Sequence, residues 1–367
     1  MNHPGTVNRV FNFSAGPSTL PLEVLSEVQQ EFVDYQGSGM SLVEMSHRGS
    51  HFMAVHEEAK DLARRVAGCG DEFEVLFLQG GATLQFSMVP MNFLAEGACA
   101  GYVDSGSWAK GAIADAKCYG DVYVAWDGQA HGYARMPSSD EIAIRGGTRY
   151  LHITSNETIG GIRFPEWPDV SVPLIADVSS EYMARPIPWD RVDLVYGGVQ
   201  KNLGPAGLAV VYVRNSVVAG LNKALGRYLR YDVHVDKDSM FNTPPVFAVY
   251  MLGKVLRWIE ANGGLEAMEL AAARKAGLLY EAIDGSGGYY RSPVDKACRS
   301  HMNVVFRLPD EALEARFLKE AAARGMVNLK GHRSVGGVRA SIYNAMPEAG
   351  VRSLVDFMAA FRAANPA

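Results

Sequence analysis

The chain has 367 residues, 48% of them apolar and 20% charged, and its 35 basic and 40 acidic side chains leave a net charge of −5. That length suits about two domains, and the apolar content excludes disorder as the main state. The acidic excess argues against a nucleic-acid partner, and no apolar run approaches the ~20 residues of a membrane-crossing helix. Cys69, Cys99, Cys118 and Cys298 show no C-x-x-C spacing, and the N-terminal residues lack an apolar signal core. Free thiols, a soluble cytoplasmic protein and no metal site are therefore expected.

In chain order, PLEVLSEVQQEFVDY (21–35) has helical spacing, with Pro21 in the first turn and Ser18 or Thr19 as cap. A second helix is expected over 52–66. EVLFL (74–78) reads as a buried strand running into Gly80-Gly81 and a helix over 83–94. A strand over 99–103, a helix over 107–118 and strands at 121–125, 149–153, 172–176 and 192–196 continue the alternation. Such spacing predicts βαβ units and a mostly parallel sheet covered on both faces. The run 208–213 follows 192–196 too closely for a helical crossover and is expected to be antiparallel. Beyond residue 240 the texture changes. Helices over 245–262, 265–283, 310–324 and 348–363 and strands over 302–307 and 337–343 suggest a smaller α+β unit. The first seventeen residues carry no usable pattern.

Three features carry chemistry. Gln79-Gly80-Gly81-Ala82-Thr83 joins a strand to a helix, and free amides at a helix start suit a phosphate. It matches neither G-x-G-x-x-G nor a Walker loop. Asp177 ends the apolar run 172–176, where parallel sheets face their ligands. Lys201 lies in GGVQKNLGPAG (197–207), and a partly desolvated lysine is a better nucleophile. Pyridoxal phosphate needs such a set: a lysine for its Schiff base, an acid for its ring nitrogen and a cup for its phosphate. Trp108 is a candidate to stack on the ring.

The blocks FNFSAGPSTLP (11–21), EMSHRGSHF (44–52), FLQGGATLQF (77–86), SNETIGG (155–161), ADVSS (176–180), GGVQKNLGPAGL (197–208), SMFNTPP (239–245), KGHRSVGG (330–337) and RASIYNAMP (339–347) follow one another in order. Together they resemble the phosphoserine aminotransferase family, class V enzymes of fold-type I. The resemblance implies an α/β fold. Its large domain, residues 18–260, would hold a mostly parallel seven-stranded sheet between helices. The smaller α+β domain would comprise 1–17 and 261–367. It implies pyridoxal 5'-phosphate as cofactor, with Lys201 the Schiff-base lysine and Asp177 on the ring nitrogen. Trp108 would stack on the ring and Thr158 would bond its hydroxyl. Ala82, Thr83 and Gln200 would hold the phosphate, with Asn242 and Thr243 arriving from the other subunit of a homodimer.

The same resemblance assigns Arg339 to the substrate α-carboxylate. It gives the distal phosphate to His332-Arg333 and to His47-Arg48 of the neighbouring subunit. Arginine forks and histidine donors suit these anions. The implied reaction is reversible transamination of 3-phosphohydroxypyruvate with glutamate, giving phosphoserine and 2-oxoglutarate in serine biosynthesis. A related step of pyridoxine biosynthesis is a family side activity. Some members have an arginine where Thr83 stands, a glycine at Ala82 and a serine at Ala15. Cys298 lacks the loop of the related desulfurases. An alanine–glyoxylate type of aminotransferase and a catalytically silent cofactor-binding protein are the alternatives.

Overall fold

The computed structural model describes residues 9–94 and 97–366. Residues 1–8 of the expected small domain, and its last residue, thus lie outside the described residues. The chain opens with β1 (Phe11–Asn12) and α1 (Leu22–Glu31), then α2 (Ser50–Ala67), β2 (Phe73–Gln79) and α3 (Gly81–Phe93). It continues through β3 (Cys99–Asp104), α4 (Ser107–Ala116), β4 (Asp121–Asp127) and β5 (Thr148–Thr154). A small hairpin, β6 (Asn156–Glu157) and β7 (Ile162–Arg163), precedes β8 (Leu174–Asp177), β9 (Leu194–Gly198) and β10 (Leu208–Arg214). Two short helices follow, α5 (Asn215–Val218) and α6 (Tyr231–Asp236), then the long α7 (Val246–Ala261) and α8 (Gly264–Asp284). The remainder is β11 (Asn303–Phe306), α9 (Glu311–Ala323), β12 (Met326–Val327), β13 (Val338–Ser341) and α10 (Glu348–Ala364).

Seven strands form one sheet in the order β2-β10-β9-β8-β5-β3-β4. β10 runs antiparallel to both neighbours, and the other pairs are parallel. The sheet is buried on both faces because its strands are apolar on both. In β2, Val75 and Phe77 pack toward α2 and α7, whereas Leu76 and Leu78 pack toward α3 and α4. A separate core gathers Leu279, Phe306, Phe317, Leu354 and Phe357 from α8, β11, α9 and α10, and Phe13 joins it.

The sequence reading differs from this fold in four places. Neither Ser18 nor Thr19 caps α1; Pro21 holds the cap position without a side-chain bond. The Ser18 hydroxyl donates to the Lys201 carbonyl and the Thr19 hydroxyl to Asn12 O, so both tie the N-terminal segment down. The first helix ends at Glu31 and not at residue 35, because Tyr35 turns inward and Gln36 takes φ 52°. The segment without a pattern contains β1, which pairs in parallel with β12, a two-residue strand too short to be read from periodicity. The last is the β6–β7 hairpin, whose two-residue strands carry no alternation. Among the described residues no helix is long and apolar enough to cross a membrane.

Candidate active site

β2, β8 and β9 bring their C-terminal ends to a cavity of about 320 Å³. A crevice at that edge of a parallel sheet is the usual ligand position. Gly16, Gly81, Ala82, Thr83, Trp108, Asp177, Gln200 and Lys201 are among its lining residues. A second cavity of about 510 Å³ lies near Arg9, Glu23, Trp258 and Met346. It holds no nucleophile beside an acid, so the chemistry points to the first.

The turn from β2 into α3 uses Gly80 at φ 90° and Gly81 at φ 60°. A Cβ on Gly80 would sit 2.7 Å from the Leu84 Cβ. Glycine is needed for both reasons, and the tight turn presents the first amides of α3 beside Ala82 and Thr83. Across the cavity, Gln200 has a buried side-chain oxygen with no partner among the described residues.

Asp177, at the end of β8, is 4% exposed. Its Oδ1 accepts both the Ser179 amide at 2.8 Å and the Ser179 hydroxyl at 2.6 Å. Ser179 Oγ in turn accepts from Gly198 N at 3.1 Å, which locks the ends of β8 and β9 together. Oδ2 has no protein donor among the described residues. Burial raises the Asp177 pKa, while the Lys201 charge and the two Ser179 bonds lower it.

Lys201 follows β9 and is 7% exposed. Its Nζ donates to Thr158 Oγ1 at 2.6 Å and lies 5.4 Å from the centre of the Trp108 ring. Burial pulls its pKa down to about 8, Asp177 and Glu157 resist, and Arg339 adds to the fall. An ammonium without direct carboxylate contact in a buried site releases its proton readily.

The structure brings Ala82, Thr83, Trp108, Thr158, Asp177, Gln200 and Lys201 together. Arg339, on β13, reaches the same place from the second core, its Nη1 3.5 Å from Thr158 O. The remaining residues named from sequence do not line the cavity of their own chain. Thr243 is exposed, and its carbonyl accepts from Gln79 Nε2 at 2.8 Å; Asn242 lies beside it. His47 and Arg48 occupy the loop before α2, with Arg48 exposed. His332 bonds Ser334 Oγ at 2.7 Å in the β12–β13 loop, and Arg333 is exposed.

Ser179, Gly16 and Glu157 went unassigned in the sequence reading. Ser179 stands two residues after Asp177, the offset at which a side chain and its own amide both meet a carboxylate. Gly16 lies 3.4 Å (from a built Cβ) from the Lys201 side chain, a proximity between distant segments that no local pattern encodes. Among the described residues no group of three or more His, Cys, Asp or Glu side chains is placed to hold a metal.

Residues 10–354 match the aminotransferase class-V family. A phosphoserine aminotransferase of Laribacter hongkongensis is 51% identical over 352 residues, covering 96% of this chain and 98% of the relative. The solved phosphoserine aminotransferase of Bacillus circulans subsp. alkalophilus superposes with a TM-score of 0.95 at 52% identity, covering 97% and 99% of the two chains. The pyridoxal-phosphate-bound phosphoserine aminotransferase of Trichomonas vaginalis superposes with a TM-score of 0.91 at 37% identity, covering 96% and 100%. With the match running from the strand before the N-terminal turn to the last helix, this chain belongs to the class-V aminotransferases.

Proposed function

We propose that this chain catalyses reversible amino transfer from glutamate to 3-phosphohydroxypyruvate, giving phosphoserine and 2-oxoglutarate, with pyridoxal 5'-phosphate as cofactor. The observation that carries it is the cavity joining Lys201, Asp177 and the α3 N-terminus in a chain 51% identical to a phosphoserine aminotransferase. The residues present fit that cofactor. The side-chain NH2 of Gln200 can donate to an anion, Asp177 Oδ2 is free to accept a hydrogen bond, and the Gly80-Gly81 turn leaves amides for a phosphate.

Bound pyridoxal phosphate supplies a conjugated electron sink for the carbanion formed at the substrate Cα. The protein does the rest. Lys201 would hold the cofactor through Nζ, and its free amine would take the proton from the substrate Cα as base and deliver it elsewhere as acid. Asp177 Oδ2 would accept a hydrogen bond from the protonated ring nitrogen, while Ser179 holds Oδ1 and favours the ionised carboxylate. Trp108 would cover one ring face and exclude water, while Thr158 Oγ1 would orient the ring hydroxyl. The amides at Ala82 and Thr83, with Gln200, would hold the cofactor phosphate. Arg339 orients the substrate α-carboxylate with a planar fork.

For the distal phosphate we assign His332 and Arg333 of the same chain and His47 and Arg48 of a second copy. Asn242 and Thr243 would complete the cofactor-phosphate site of that copy. The active form is then a homodimer with shared sites, and the cytoplasm its place of work. We divide the chain into a large unit, 18–260, and a small one, 1–17 with 261–367; Arg339 comes from the latter. The distinct core around Phe317 supports that division.

The test is the visible absorbance of purified protein before and after phosphoserine. A band that bleaches with phosphoserine is the expected result. A band that responds to alanine and not to phosphoserine would remove the distal-phosphate assignment, and no band after reconstitution would remove the enzyme.

A further inference from the structure

Glu157 has no part in the assigned mechanism, yet it is 0% exposed at the heart of the site. It ends β6, one residue before Thr158. Its carboxylate reaches out of the hairpin to the start of α4. There Oε1 accepts from Ala109 N at 2.9 Å and Oε2 from Trp108 N at 3.2 Å. Ser105 Oγ stands 3.5 Å from Oε1. The position before α4 is Gly106, at φ 156°, and it offers no side-chain cap. A Cβ there would lie 2.8 Å from the Glu157 carboxyl carbon, so the backbone is pared to admit a carboxylate from another element.

Helix starts are normally capped by a neighbouring side chain. Here the cap is imported from the hairpin that also positions Thr158. The charge sits against the positive end of the α4 dipole. Burial pushes the Glu157 carboxyl up to about 7, Asp177 adds to the rise, and the two amides and Lys201 oppose it. Trp108 is the second residue of α4 and lines the cavity.

We propose that Glu157 is a positioning residue for the ring-binding half of the site. It ties the first turn of α4 to the β6–β7 hairpin, and so fixes the gap between the Trp108 indole and the Thr158–Lys201 pair into which a flat ring slides. The inference rests on the cofactor reading above, and it assigns the width of the slot to a group that touches neither cofactor nor substrate.

A double-mutant cycle separates action through Trp108 from general damage. The cofactor-free proteins are wild type, Glu157→Ala, Glu157→Gln, Trp108→Ala and the two combinations with Trp108→Ala. The readouts are the dissociation constant for pyridoxal phosphate and the thermal midpoint without cofactor. We expect Glu157→Ala to weaken binding about tenfold and Glu157→Gln, which keeps one acceptor oxygen, about threefold. In the Trp108→Ala background both losses should shrink to less than about twofold. Losses that persist in full in that background, or single variants that bind like wild type, overturn the proposal. Should Glu157→Ala not fold, the Glu157→Gln cycle is read by the same rule. If wild type itself binds no pyridoxal phosphate, the cofactor reading fails instead, and with it the ground for this inference.

Discussion

Lys201 is held between opposing influences. Burial favours its neutral amine, while the carboxylates of Asp177 and Glu157 favour the ammonium. With a pKa near 8, the nucleophilic form grows as pH rises from 7 to 9. The rate at which an amine-reactive reagent labels Lys201 in cofactor-free protein should rise over that range. Asp177→Asn should move the midpoint down, because a charge that favours the ammonium is gone; an upward move would contradict the arrangement. The linkage has a definite sign. The folded pKa lies below the ordinary lysine value, so the unfolded chain binds the extra proton between the two, and stability rises with pH across that window. The thermal midpoint of cofactor-free wild type should therefore gain more between pH 8 and 10 than that of Lys201→Ala. The same Lys201→Ala variant should lose roughly 10²- to 10⁴-fold in transamination, the span of a missing acid–base group.

At the scale of elements, one helix secures the far wall of the site. Lys275, on α8, is 3% exposed and donates to the carbonyls of Tyr343 at 2.7 Å, Met346 at 3.0 Å and Asn344 at 3.5 Å. Those residues form the turn after β13, the strand of Arg339. Asn344 N in turn donates to Asn202 Oδ1 at 2.9 Å, beside Lys201. Lys275→Met should leave carbonyls unpaired at a cost of about 1–3 kcal/mol each, read from urea unfolding. It should also raise the KM for glutamate more than it lowers kcat, through Arg339. Equal changes would show that the turn does not carry the arginine.

The same elements explain what sequence could convey. The sheet and helices were legible because long apolar runs alternate with turn residues, and β10 betrayed its direction by the shortness of its link to β9. Asp177 was legible because it ends an apolar strand with serines beyond it, and Lys201 because it stands three residues past β9 in a glycine-rich run. The two-residue β1 and β12 were not, since two residues display no period. Glu157 escaped notice for another reason: its role lies in the reach of a side chain to a helix distant in sequence.

Across the whole molecule, the arginines proposed for a distal phosphate lie outside the cavity of their own chain. Arg48 is exposed in a loop outside the cavity, and Arg333 is exposed in the β12–β13 loop. If a second copy supplies Arg48, two damaged proteins should repair each other. Lys201→Ala and Arg48→Ala homodimers, mixed and allowed to exchange subunits, would form heterodimers with one intact site in two. Half the dimers are then mixed, and activity should recover to about a quarter of wild type. No recovery after proven exchange would place Arg48 outside the site. Arg333→Ala should raise the KM for the phosphorylated substrate more than that for glutamate.

The pairing of Phe11 with Met326 and the bond from Ser18 N to Gln200 O at 3.0 Å have a consequence in time. A ribosome delivers β1 some three hundred residues before its partner strand. Asp177 and Lys201 emerge midway, before Arg339 and before the turn that Lys275 grips. Until Val327 emerges, the strap against the lysine segment has no strand to rest on. Product cut short before Met326 thus carries the reactive lysine on a chain whose opening residues stay loose and open to proteases.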